Sequence, residues 1–275
     1  MTVRKKPYNE LTFTDDFMFC RVLRNNEDLC RRLVELLLDV KVDRIVLRDS
    51  QHSIERDSDS RGVRFDVYLK DEDGTVFDLE MQNRQIKSLP FRTRYYQSMI
   101  DVDHLLSGDS FKALPDTYVV FICSFDPFEE GLHKYEFRNM CVEDPSIRLR
   151  DGTAKVFINA KGRRENASDE MKAFLDYLCG QEASSDLTRD IEESIARAKK
   201  VKEWEVEYMA IGDRLYWERF EGREEGREEG REEGRAEAHF EDVDRLVNEG
   251  ILDADRACEV LNVDKSAYRS YKVQS

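Results

Sequence analysis

The chain has 275 residues, 40% hydrophobic and 37% charged, with a formal net charge of −15, which suits one sizeable folded domain plus an added element under a very polar surface. No apolar run reaches the roughly 18 residues of a membrane span, the basic start MTVRKKPYNELTF lacks the apolar segment of a secretory signal, and the scattered six cysteines and four histidines do not form a zinc site. A cytoplasmic chain with reduced thiols is expected, and its overall field repels polyanions, so a nucleic-acid site must be locally basic and lie in the first part, before the acid-rich stretch after residue 180.

Along the chain, residues 10–40 predict helix. TDDFMFCRVL (14–23) opens on a Thr-Asp capping signal, and Leu29, Leu33, Leu36, Leu37 and Val40 follow at helical spacing. RIVLRDS (44–50) predicts a strand, 50–61 a polar loop, and RFDVYLKDEDGTVFDLEMQ (64–82) a hairpin. Residues 89–108 predict a helix, with Pro90 near its start, Gly108 at its end, and Phe91, Tyr95, Met99, Val102 and Leu106 on its core face. TYVVFICSF (117–125) is a continuous apolar run suited to a central buried strand. AKVFINA (154–160) is a shorter strand, and 168–180 is a helix between a Ser cap and Gly180. This order makes residues 1–180 one α/β domain. Residues 181–238 predict a long charged helix: Val201, Trp204, Tyr208, Ile211 and Leu215 form a short heptad seam over 187–217, followed by the EGRE repeats. Each repeat glycine costs a helix about 1 kcal/mol against Ala, so the repeat is expected to pack as a helix in a homo-oligomer through 187–240, the alternative being a charged spacer. Residues 239–275 predict a small helical tail whose acidity favours packing or protein contact over DNA.

The hairpin carries the chemistry. A three-residue loop, Glu72-Asp73-Gly74, pairs residue 71 with 75. Residues 65, 67 and 69 then face 81, 79 and 77, apolar against apolar, and Asp66 falls opposite Glu80. Opposed Cβ atoms lie about 4.5–5.5 Å apart. Two ionised carboxylates that close are unfavourable unless one is protonated or a cation lies between them. A hard divalent cation, Mg²⁺ first and Mn²⁺ as a substitute, suits all-oxygen ligands; the bland alternative is an acidic face in solvent. Beside the pair the charge reverses: Arg84, Lys87, Arg92 and Arg94 occur with no acid between Met81 and Ile100, which suits a phosphate backbone next to a metal. Arg92, Tyr96 and Gln97 are expected on the polar side of the 89–108 helix, near the hairpin.

These residues, with DFMFCRVL (16–23), FRTRYYQSMIDVDHLLSGDSFKALPDTYVVFIC (91–123) and the Gly/Glu/Arg-rich tail, resemble the recombination-promoting nucleases, the Rpn family, also known as PD-(D/E)XK nuclease family transposases. The resemblance spans roughly residues 10–180. It implies a restriction-endonuclease-like core, a mixed central sheet flanked by helices, that cuts DNA with Mg²⁺. It makes Asp66 and Glu80 the catalytic, metal-binding acids, adds Asp16 to the metal shell, and puts Gln82 where the wider superfamily has Lys. Cys20 stands where relatives commonly carry Lys; Arg21 keeps one positive charge beside it. A neutral amide at 82 can orient water but supplies no charge, so steep metal dependence and slow turnover are expected. The function expected is a metal-dependent DNA endonuclease; the alternative is a weak or inactive nuclease-fold protein acting as an oligomeric binding or regulatory module.

Overall fold

The computed structural model describes residues 6–50, 53–54, 62–165, 167–211 and 238–274. They form two compact units, one ending at Tyr208 and one beginning at Met209.

The first unit is built on a six-stranded sheet in the order β1-β4-β5-β6-β8-β7. Its strands are β1 (Ile45–Ser50), β4 (Val67–Asp71), β5 (Val76–Gln82), β6 (Thr117–Cys123), β7 (Lys134–Phe137) and β8 (Thr153–Asn159), and a separate two-stranded ribbon pairs β2 (Ser53–Ile54) with β3 (Val63–Arg64). β4 runs antiparallel to β1 and β5, β6 lies parallel to β5 and β8, and β7 is an antiparallel edge strand. The mixed, helix-flanked sheet expected from the sequence is therefore present. The central strands are buried on both faces, because α3 (Leu89–His104) covers Val76, Val119, Phe121 and Phe157 on one side. The alternate residues Leu79, Val120, Ile122 and Ile158 are fully buried as well. α1 (Asp16–Arg24), α2 (Glu27–Leu38), α4 (Asp169–Leu178) and α5 (Asp186–Ala198) pack on one another, and α1 and α2 reach β1.

Helix ends follow local chemistry. Asn26 caps α2, Ser168 caps α4, and Ser185 with Thr188 makes a capping box for α5. The cap expected before α1 does not form: Asp15 turns its carboxylate back to the Thr12 N–H and hydroxyl and to Lys6. The helical stretch expected over 10–40 divides at Asn25–Asn26, where that cap starts the second helix.

Two other expectations change. On α3 the buried face is Leu89, Thr93, Tyr96, Gln97, Met99 and Ile100. Of the stripe expected to be core, Met99 alone is buried; Phe91, Tyr95, Val102 and Leu106 are exposed. Apolar residues occur on both sides of this helix, so spacing alone did not choose the side. The long helix expected over 187–217 is interrupted after Ala198 and resumes over 202–211. Two of its seam residues, Trp204 and Tyr208, are used within the chain, and Leu215 lies outside the described residues. Tyr208 packs on Tyr8 and Phe17 and donates to the Lys6 carbonyl, and the Arg21 guanidinium lies over Trp204. Ion pairs Arg32–Asp190 and Arg21–Glu207 add to this anchoring, so the first unit continues past the expected boundary at 180. The EGRE repeats lie outside the described residues. In the second unit, helical residues 238–248, Ala254–Leu261 and Lys265–Gln274 close around Val243, Ala257, Cys258 and Tyr268.

Candidate active site

The hairpin adopts the expected register. Val67 pairs with Leu79 and Leu69 with Phe77, the turn glycine Gly74 takes φ +87°, and the Asp71 and Gly74 N–H groups close the loop. Asp66 comes one step before β4, in a bend rather than in the strand. That bend breaks the alternation, so Phe65 joins Tyr68 in the cluster beneath α3 instead of pointing away from it. The bend also brings Asp66 to Glu80. The Asp66 N–H donates to Glu80 Oε1 at 2.8 Å, and Asp66 Oδ2 accepts from the Met81 N–H at 3.1 Å. Cys20, expected only as the site of a missing lysine, has a role here: its thiol donates to the Asp66 carbonyl at 3.1 Å, and burial pushes its pKa far up, so it stays a neutral anchor. Arg21 turns toward Glu207, Phe17 and Trp204 and takes no part.

Glu80 is 1% exposed. The guanidinium of Arg92 meets its Oε2 at 2.7 Å, and also donates to Gln82 Oε1 at 3.1 Å and to the Tyr96 hydroxyl while stacking over the Tyr96 and Phe121 rings. Arg92 is thus not on the outer basic strip expected from the sequence. A buried carboxylate needs a partner more than solvent needs another arginine. Gln82 likewise has both ends engaged, since its amide donates to the Arg84 carbonyl at 2.5 Å. Arg84, Lys87 and Arg94 remain exposed. Gln97, expected near the hairpin, bonds Thr117 and Asp101 instead.

A fourth acid is the main surprise. Asp78 lies two residues before Glu80 on the same face of β5, wholly buried, and neither of its oxygens has a donor among the described residues. Desolvation first, then repulsion from neighbouring acids, raises the pKa of both Asp78 and Glu80 well above the carboxylate range. Glu80 accepts two donors and Asp78 none among the described residues, and the two buried neighbours titrate together. Alternation placed Asp78 on this face; only the covering by α3 shows that the face is dry. Asp16, on the first turn of α1, keeps solvent contact, yet protein crowding desolvates its carboxyl and raises its pKa. Its charge in turn helps to raise Asp66.

The all-oxygen, electron-rich donor set suits a hard divalent cation, and the unpartnered Asp78 marks a surplus of acid over the one internal guanidinium. Among the described residues no three acids, histidines or cysteines converge on one point, so Asp16 does not complete a triad with Asp66 and Glu80. Magnesium commonly takes one or two carboxylates and keeps several waters, a requirement that Asp66 and Glu80 alone can meet. Cavities of about 530 Å³ beside Thr12 and Cys179 and of about 570 Å³ beside Lys70 and His104 open elsewhere.

Residues 13–204 match the family model of the PD-(D/E)XK nuclease family transposases. The chain belongs to that family. Comparison with curated proteins and with solved structures found no match. The matched span holds Asp66, Glu80 and Gln82, and membership of a PD-(D/E)XK nuclease family gives the domain a nuclease-type function. In this nuclease-family domain no described helix is long and apolar enough to cross a membrane.

Burial, with the charge of Asp16, raises Asp66 from 3.8 to about 6. A folded-state pKa above the unfolded one means that this carboxyl favours folding below about pH 4, and that the benefit is lost as pH rises through about 6. Asp66→Asn is expected to flatten the decline of unfolding free energy between pH 4 and 7 by up to about 3 kcal/mol. Urea unfolding at several pH values measures it; an unchanged slope contradicts the assignment.

Proposed function

We propose that this protein is a metal-dependent DNA endonuclease that hydrolyses phosphodiester bonds at Asp66 and Glu80. The observation that carries the reading is the approach of these two acids across the β4–β5 hairpin inside a domain of the PD-(D/E)XK nuclease family. Asp66 and Glu80 would hold Mg²⁺ or Mn²⁺, with Asp16 at the rim. A divalent ion supplies Lewis acidity to a phosphoryl oxygen and a more acidic bound water. The chain's own residues do the rest. The Met81 N–H and the Cys20 thiol fix Asp66. Arg92 sets the orientation of Glu80, and Gln82 holds Arg92 in place. Arg84, Lys87 and Arg94 offer the scissile strand its phosphate contacts. Oligomerisation belongs to this proposal only through the stretch beyond 208, since the seam up to Tyr208 is used within the chain.

A specific observation favours the second reading, a non-catalytic binding module: Arg92 occupies an oxygen of Glu80 that a metal would use. Incubating the protein with supercoiled and linear DNA, with and without Mg²⁺ or Mn²⁺, separates the two. Metal-dependent nicking supports the nuclease; retarded but uncut DNA under every metal supports the binding module.

A further inference from the structure

We propose that the ring of Phe91 is a stacking platform for an unpaired base, which makes single-stranded or locally opened DNA the preferred ligand of the site. The inference rests on the nuclease reading above and names its substrate class. Phe91 sits on the first turn of α3 and is 63% exposed, although Leu89, Thr93 and Tyr96 around it are buried. Packing has turned this one large aromatic outward. The next residue, Arg92, touches Glu80 at 2.7 Å, so the ring stands one residue from the side chain that contacts the candidate acid. The Arg94 guanidinium lies over the Phe91 ring, 5.7 Å from its centroid, and Tyr95 follows one turn on, 37% exposed.

The surrounding charge selects the occupant. Residues 83–100 contain four basic side chains and no acid, in a chain of net charge −15. A second copy docking by the same face would set this basic stretch against itself, because a two-fold contact buries the same patch on both subunits. A nucleic-acid strand offers the complementary pair: phosphates for Arg84, Lys87 and Arg94, and a π-face for Phe91. Bases in an intact duplex are stacked on each other and offer no free face, so the ring reads strand opening and not sequence.

The test is fluorescence anisotropy of the full chain in EDTA. Three labelled probes of equal length are used: a single strand with bases, the same strand with abasic linkers, and a duplex. The wild type is expected to bind the base-bearing strand about tenfold or more tighter than the abasic one. Phe91→Ala should lose that preference while keeping its affinity for the abasic strand, and Phe91→Trp should keep it. Equal binding of the base-bearing strand by wild type and Phe91→Ala overturns the proposal. So does a wild type indifferent to bases, or a solution mass that Phe91→Ala halves, which would make the face a contact between copies. Because these measurements use no metal, Glu80→Gln should retain the base preference. A base preference without metal-dependent cleavage removes the nuclease reading alone; cleavage without a base preference removes the stacking alone.

Discussion

Glu80→Gln is expected to lower metal-dependent DNA cleavage by about a thousandfold or more while the domain stays folded. The substitution keeps side-chain volume, and the amide carbonyl can still accept the Asp66 N–H that now reaches Oε1. What it removes is the negative charge that holds the cation, and several kcal/mol of charge stabilisation corresponds to about three powers of ten in rate. Asp66→Asn should behave alike, since it leaves an acceptor for the Met81 N–H. Nicking of supercoiled plasmid measures the rate and thermal unfolding measures the fold. Cleavage at the wild-type rate in either variant would remove these acids from the reaction.

Arg92→Ala should be the most destabilising single change in the site. It strips Glu80 of its one guanidinium contact and leaves Tyr96 and Gln82 without the donor that joins them. Breaking a buried ion pair costs about 3–5 kcal/mol. The low end applies here, because the Arg92 side chain is 34% exposed and partly screened. The penalty should shrink at pH 5. The acids around Arg92 already have raised proton affinities and would neutralise themselves by taking up protons. Arg92→Lys recovers only part, since a single ammonium cannot span Glu80, Gln82 and Tyr96 as a planar fork does. Denaturant unfolding at pH 7 and pH 5 gives the comparison. A loss under about 1 kcal/mol at both pH values would mean that Glu80 is held by something else.

Much of this site is written in the hairpin itself. The Glu72-Asp73-Gly74 loop and the apolar alternation left one register that kept the core face intact, and that register, together with a bend at Asp66 that the alternation does not record, places Asp66 by Glu80. What the sequence could not reveal depends on what lies over the sheet. Asp78 alternates with Glu80 and could equally have faced water; α3 makes it a buried acid without a donor. Arg92 reads as one of four basic residues until the crossing of α3 over β5 turns it inward. The choice of α3 face escaped for the same reason: Phe91 and Met99 are both apolar, and packing buries Met99 alone. The helix α5, which docks on α1 and α2, ends at Ala198, and no periodicity over 187–217 records that end.

Asp66 and Glu80 are proposed to bind one divalent cation together. Isothermal titration of the full chain with Mn²⁺ and Mg²⁺ at pH 7.5, beside Asp66→Asn and Glu80→Gln, measures it without any need for DNA. One site per chain in the wild type and none in either variant is the predicted result. Undiminished binding in both variants, or no binding in the wild type, would contradict it.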